Sequence, residues 1–303
     1  MMKLNKPLVS IITVNYNNTD VTECLLKSII LSDYDNLETI IVDNGSQTDS
    51  IDNLLNLYPF IKLIKSKKNL GFAGGNNLGL QHAKGEFVFF VNNDTVFTKD
   101  LVSLLHSQLA CDDNLGAVSP KILFYDNPSV IQYVGSTKMN SVTVRNRHVG
   151  NKVKDQGQFD TERVTFYAHG AAMMIPRRVI EEVGEMSCEF FLYYEELDWC
   201  ERIRDAGYSI HVVPAAKIYH KESMTAGKSS VLKTYYLTRS RFLFARRNLK
   251  GINYPLSLLF LMLISWPRNT LKLLFKTAHL KAYNCALLWN LTKGRYTNKP
   301  FKI

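Results

Sequence analysis

Four short clusters hold the residue types that could do chemistry. Asp43 follows the apolar run Thr39-Ile40-Ile41-Val42 and precedes Asn44-Gly45-Ser46, so its carboxylate sits beside backbone donors and can accept from a base N–H or a ribose hydroxyl. The same residues also make an ordinary turn or helix cap. Asn92-Asn93-Asp94 ends the most aromatic strand-like run, and one carboxylate with neighbouring amide oxygens suits a hard divalent cation that keeps open positions for phosphate. Asn-Asp clusters after strands are also common turns. Glu195-Glu196-Leu197-Asp198 places three acids directly after Phe190-Phe191-Leu192-Tyr193-Tyr194. Desolvation at an aromatic rim raises a carboxyl pKa toward that of a general base, whereas compensation of the helix dipole accounts for some of these acids without any chemistry. Gly71-Phe72-Ala73-Gly74-Gly75-Asn76-Asn77 could bring backbone N–H groups close to a phosphate or sugar. It is not the G-x-G-x-x-G fingerprint and no acid follows it at the ribose distance, which argues against a dinucleotide oxidoreductase.

These clusters must be held by regular elements, and the hydrophobic pattern supplies them. Apolar β-branched runs at residues 8–14, 38–42, 61–65 and 86–91 read as strands. Between them lie helical patterns: residues 21–31, a segment from the cap residues Thr48, Asp49 and Ser50 to about Tyr58, and a segment after Gly75 to about Ala83. Strands alternating with helices specify an α/β chain with a doubly wound, mostly parallel sheet. Ligands in such sheets bind outside the carboxyl ends of the strands, where the polar clusters lie. Beyond residue 115 the alternation loosens: residues 121–125, 130–134 and 164–167 read as strands of a mixed region and residues 146–162 as a polar loop. Residues 195–206 read as a helix stopped by Gly207, with a strand at 209–213.

The composition of the 303-residue chain, 46% hydrophobic and 21% charged, is that of a globular protein. Five scattered cysteines form no C-x-x-C pair, which points to reduced thiols rather than a zinc framework. Residues 1–222 carry 22 basic residues against all 27 acidic ones, a net −5, while residues 223–303 carry 15 basic residues and no acid. A negative body argues against a nucleic-acid binder; the basic tail suits an anionic membrane surface. The N-terminal apolar stretch of about seven residues is too short for a signal-peptide core, so the expected location is cytoplasmic, peripheral to the inner face of a membrane.

In order along the chain, six stretches resemble the inverting nucleotide-sugar glycosyltransferases of family two, with the GT-A fold, and within it the rhamnosyltransferase-type enzymes of bacterial cell-surface polysaccharide synthesis. They are residues 9–17 ending in Asn15-Tyr16-Asn17, residues 41–46 around Asp43-Asn44-Gly45-Ser46, residues 69–77 around the glycine run, residues 91–94 with Asn92-Asn93-Asp94, His169-Gly170-Ala171-Ala172-Met173, and residues 190–202 with Glu195-Glu196. The resemblance spans about residues 8–248, taken as one glycosyltransferase domain (1–248) followed by a basic helical tail (249–303). It implies that Asp43 contacts the nucleobase of a dTDP- or UDP-sugar, and that Asn15, Gly71, Asn92, Asn93 and Gly170 are further donor contacts. Asp94 would hold Mg²⁺ or Mn²⁺ on the diphosphate with His220, 24 residues beyond Glu196. Glu196 would be the base that activates a hydroxyl of a glycan or lipid-linked glycan. Asn92 stands where the family's D-x-D motif has its first Asp, and the base position is Glu rather than the commoner Asp, which leaves Glu195 as its rival. A metal-dependent nucleotidyltransferase is the alternative enzyme, though the residues after the first strand lack a Gly-rich basic phosphate loop. An inactive membrane-surface binding module is the other alternative.

In the tail, residues 251–267 are 17 uncharged residues containing Pro255 and Pro267, too short to span a bilayer. Leu271, Leu274, Phe275, Ala278, Ala282, Cys285 and Leu288 recur at helical spacing, which predicts an amphipathic helix lying in the membrane interface. The same pattern fits a helical pair packed on the body.

Overall fold

The computed structural model describes residues 6–48, 50–221 and 230–292. The first part alternates as its apolar runs require: β1 (Val9–Asn15), α1 (Thr19–Ile29), β2 (Leu37–Asp43), α2 (Asn53–Leu57), β3 (Ile61–Lys65), α3 (Gly71–Leu80) and β4 (Phe87–Val91). These strands pair in parallel in the order β3-β2-β1-β4, since each is followed by a crossover and not a hairpin. All five residues of β4 are buried, as in a strand covered on both faces.

The chain continues through β5 (Thr95–Phe97), α4 (Leu101–Cys111), β6 (Leu115–Phe124), β7 (Asn127–Tyr133), β8 (Arg163–Val164), β9 (Ala172–Pro176), α5 (Arg177–Val183), α6 (Glu195–Asp205) and β10 (Ser209–His220). The sheet extends from β4 as β9-β6-β10-β5, with β9 antiparallel to β4 and β10 parallel to β6. From β1 the chain builds outward through β2 and β3, then places β4 on the other side of β1. The resulting switch point opens a crevice at the carboxyl ends of β1 and β4.

Three local expectations need correction. Helix α2 starts at Asn53, with Asp52 in the cap position, instead of at Thr48 or Ser50; Asp49 lies outside the described residues. The glycine run is not a loop before a helix but the first turns of α3. Its glycines serve packing: a Cβ on Gly75 would lie 2.9 Å from Val14 Cγ1, and one on Gly79 2.5 Å from Ile12 Cγ2, so α3 rests directly on β1. The elements β5, α4, β9 and α5 are not among those expected from sequence: α4 does carry a helical apolar stripe of Leu101, Val102, Leu105 and Leu109, whereas β9, with all five residues buried, shows no alternation to read.

The tail comprises α7 (Val231–Asn248), α8 (Asn253–Leu259), a π-helical turn over Phe260–Ser265, α9 (Trp266–Leu273) and α10 (Thr277–Leu291). A single helix through residues 271–288 does not form, because the chain leaves helical geometry at Lys276 (φ −115°, ψ 69°). Helix α10 folds back on α7 and buries Ala282, Tyr283, Ala286, Leu287 and Trp289. Tyr283, Leu287 and Trp289 join the same apolar cluster as Phe90 and Trp199, so this part of the tail completes the core.

Candidate active site

The crevice holds a cavity of about 450 Å³ walled by, among others, Asn92, Asp94, Gly170, Glu195, Glu196 and His220. Seven of the residues singled out by sequence thus converge with the rival Glu195: Gly71 and Asn93 also line this cavity. Asn15 and Asp43 do not. Asn15 is fully buried, and its carboxamide oxygen accepts from Thr22 Oγ1 (2.9 Å) and Asn93 Nδ2 (3.4 Å), tying β1 to α1 and to the end of β4. Its expected role as a direct donor contact is therefore replaced by a structural one. Asp43 sits at the end of β2, where Oδ1 accepts from the Ser46 N–H at 3.2 Å.

At one corner β5 pairs antiparallel with β10, opposing Thr95 and His220. That register brings His220 Nε2 to 3.1 Å from Asp94 Oδ1, and the Lys221 N–H donates to the Asp94 carbonyl. Asn92 Oδ1 is buried and has no hydrogen-bond partner among the described residues. The imidazole nitrogen and carboxylate of this corner, with the amide oxygen of Asn92 on the wall of the same cavity, are donor types suited to Mn²⁺ or Mg²⁺. Among the described residues no three His, Cys, Asp or Glu side chains converge, so Asn92 or a ligand oxygen must complete such a site.

At another wall α6 starts from a strained segment: Phe191, Tyr193 and Tyr194 all have positive φ (63°, 65° and 72°). Helix α7 braces it through Arg239 Nη2, which donates to the carbonyls of Glu189 and Phe190, and through Ser240 Oγ, which donates to the Leu192 carbonyl at 3.0 Å. Asp198 is fixed away from chemistry by Arg202, Arg247 and Asn248. Burial raises both remaining carboxyls: Glu196 is pushed up to about 7, and Glu195 goes well above the carboxylate range through burial and then the Glu196 charge. Gly170 lies directly beside the base candidate: a Cβ on it would stand in ordinary van der Waals contact, 3.5 Å from Glu196 Cγ.

Gly71 is demanded by this same segment. It has φ +75°, and a Cβ on it would come within 2.2 Å of the Phe191 carbonyl oxygen, which accepts from the Phe72 N–H. Gly71→Ala is expected to cost about 1–3 kcal/mol, the scale of a strained left-handed residue, and to lower turnover; urea unfolding and steady-state rates measure the two. Unchanged turnover would separate Gly71 from the placement of the α6 acids.

Residue patterns gave no signal for Gln132, His148, Asn151 and Lys233, which also line the cavity. His169, quoted above only within a motif, accepts the Ala171 N–H on Nδ1 at 3.0 Å, so its neutral ring carries the proton on Nε2. Burial, then the neighbouring His148 and His220, holds it well below the usual histidine range.

Residues 10–184 match the description of Glycosyl transferase family 2. The chain belongs to this family. The chain is similar to the low-salt glycan biosynthesis hexosyltransferase Agl10 of Haloferax volcanii, 28% identical over 245 residues that cover 78% of this chain and 74% of the relative. Another is the dTDP-rhamnosyl transferase RfbF of Shigella flexneri, 26% identical and covering 70% and 72% respectively. The mannosyltransferase PcManGT of Pyrobaculum calidifontis, solved with GDP-Man and Mn²⁺, is 17% identical and covers 98% of this chain and 89% of its own, with a TM-score of 0.59. The fold of this family 2 chain is therefore that of the GT-A glycosyltransferases, and the protein is a glycosyltransferase. The family match ends before Glu196 and His220, so those residues rest on the geometry above.

Proposed function

We propose that the protein is an inverting transferase that moves a sugar, rhamnose first among candidates, from a dTDP- or UDP-linked donor to a hydroxyl of a glycan or lipid-linked glycan in cell-surface polysaccharide synthesis. The observation that carries this reading is the presence of a desolvated carboxylate, Glu196, and the Asp94–His220 pair on the walls of one cavity at the switch point. The RfbF relative is named as a dTDP-rhamnosyl transferase, which supports the sugar.

Asp94 and His220, with the amide oxygen of Asn92, would hold Mg²⁺ or Mn²⁺. Bound there, the cation would offset charge on the departing nucleoside diphosphate. Glu196 takes the proton of the acceptor hydroxyl as its oxygen attacks the anomeric carbon on the face opposite the leaving group. Lys233 adds a positive charge in the cavity wall, and Asp43 receives the nucleobase at the rim of β2. Incubation with radiolabelled dTDP- and UDP-sugars and a lipid-linked acceptor, with NMR of the product's anomeric configuration, tests the reading; retention of configuration or absence of transfer would overturn it.

The raised pKa of Glu196 fixes a pH dependence. The carboxylate is the active form, so turnover is lost as pH falls through about 7 and levels off above it. A pH profile of kcat measures this. An acidic limb centred in the ordinary carboxylate range would place the base in a solvated position.

The membrane contact of the tail is assigned to α8, the π-helical turn and α9. Leu256, Leu259, Leu263, Leu271, Leu274 and Phe275 are exposed along this stretch, Phe275 at 97%. Arg268 and Lys272 lie within it, Lys250 and Lys276 flank it, and no acid follows residue 222. No helix among the described residues is long and apolar enough to cross a membrane. Apolar burial with a screenable charge attraction is the signature of an interfacial segment. In sedimentation assays the chain is expected to bind vesicles containing phosphatidylglycerol better than neutral ones, to be released in part by high salt, and to bind more weakly as Phe275→Asp. Equal binding of variant and parent would remove this strip from the contact.

A further inference from the structure

Resting on the metal reading above, we propose that Gln132 is a positioning residue: its amide oxygen selects the tautomer of His220 that presents an unprotonated Nε2 to the cation. Gln132 stands on β7, 88 residues from His220, and is 5% exposed. Its Oε1 lies 2.8 Å from His220 Nδ1, in a buried contact. A carboxamide oxygen can only accept, so Nδ1 carries a ring proton, and in the neutral ring Nε2 is then the nitrogen with the lone pair.

The consequence is visible on the other side of the ring. Nε2 is buried and lies 3.1 Å from Asp94 Oδ1. Two acceptors held face to face repel each other unless a cation or a proton lies between them. With the opposite tautomer, Nε2–H would donate to Asp94, and that bond would close the corner to a metal. Gln132 thus biases the pair toward an open, ligating state, the role that outer hydrogen-bond partners of metal-bound histidines play in general.

The position of Gln132 is itself enforced by the polar loop over residues 146–162. The Gln132 carbonyl accepts from Asn151 Nδ2 at 2.8 Å, the Ile131 N–H donates to the Val153 carbonyl at 2.9 Å, and the Lys152 N–H donates to the Ile131 carbonyl at 2.8 Å. Lys121, fully buried, anchors the far end of the loop through Asp155 and Asp160. The loop fixes where β7 lies, and β7 fixes the amide beside His220.

The test uses the full chain with ¹⁵N-labelled histidine. Long-range ¹H–¹⁵N NMR reads the His220 tautomer, assigned by comparison with His220→Gln, and EPR of free Mn²⁺ in the presence of UDP or dTDP reads metal affinity without any turnover. Two variants are compared: Gln132→Met, which keeps the length and removes the acceptor, and Gln132→Glu, which keeps an acceptor. The expected result is an Nδ1–H ring in the wild type and in Gln132→Glu, with Mn²⁺ affinity near wild type in Gln132→Glu and lowered about 10–100-fold in Gln132→Met. An Nε2–H ring in the wild type overturns the proposal, as does wild-type Mn²⁺ affinity in Gln132→Met or an equal loss in both variants. A wild-type chain that binds no Mn²⁺ overturns the metal reading and this proposal together, whereas the other adverse outcomes remove only Gln132.

Discussion

Glu196→Gln is expected to lower turnover by at least about 10²-fold, the lower scale for loss of a general base, while nucleotide-sugar binding persists. The amide keeps the shape of the side chain and removes only its capacity to take a proton, so a selective loss in kcat isolates that step. The choice of Glu196 over Glu195 rests on access. Both line the main cavity, but Glu196 also walls an adjoining groove of about 220 Å³ with Arg145, Tyr193, Tyr194 and Leu237, and Glu195 does not. Glu196 is thus reachable from both the cavity and the groove. Glu195, at 4% exposure, has its carboxyl pushed well above the carboxylate range by burial and by its neighbour's charge, which makes it the poorer base at neutral pH. Parallel kinetics of Glu195→Gln decide the matter: a dead Glu195→Gln beside an active Glu196→Gln moves the base by one residue.

Removal of divalent cations is expected to have a comparable effect. Excess EDTA should depress transfer by about 10²-fold or more, the rate equivalent of several kcal/mol of leaving-group stabilisation, and Mn²⁺ or Mg²⁺ should restore it. The physical motive is the corner at the end of β4, where His220 Nε2 lies 3.1 Å from Asp94 Oδ1 and the desolvated Asn92 Oδ1 has no hydrogen-bond partner among the described residues. Such groups cost stability unless a ligand engages them. Because Asn92 contributes an amide and no charge, Asn92→Asp is expected to tighten Mn²⁺ binding, as read by EPR of the free ion. Full activity in excess EDTA would remove the cation from the mechanism; full activity of His220→Ala would remove only that ligand.

Much of this protein was legible in its residues alone. The parallel strands announce themselves as short apolar runs because both faces of each strand are covered, and polar clusters end them because the chain there must turn at the sheet rim. Hence the clusters around Asn15, Asp43 and Asn92-Asn93-Asp94 could be placed at the carboxyl ends of their strands before any contact was known. What remained illegible depends on partners distant in sequence. Asn15 has the residue type and position of a ligand contact, yet three-dimensional packing turns its carboxamide toward Thr22 and Asn93. The glycine run suggests a phosphate loop, but the close approach of α3 to β1 and of Phe191 to Gly71 accounts for Gly71, Gly75 and Gly79.

The tail shows the same division. Its charge imbalance and helical period are properties of the residues, while the break at Lys276 and the docking of α10 on α7 decide which apolar residues join the core and which face outward. Sequence determined the fold class, the family and the order of the candidate motifs, because those follow from local periodicity and short-range residue patterns. The family resemblance already paired Asp94 with His220; only the tertiary structure decided that Asp198 is tied up by Arg247 and that Gln132 stands behind the histidine. Each of these is a contact between strands or helices far apart in the chain, set by sheet register and packing, and no local pattern encodes it.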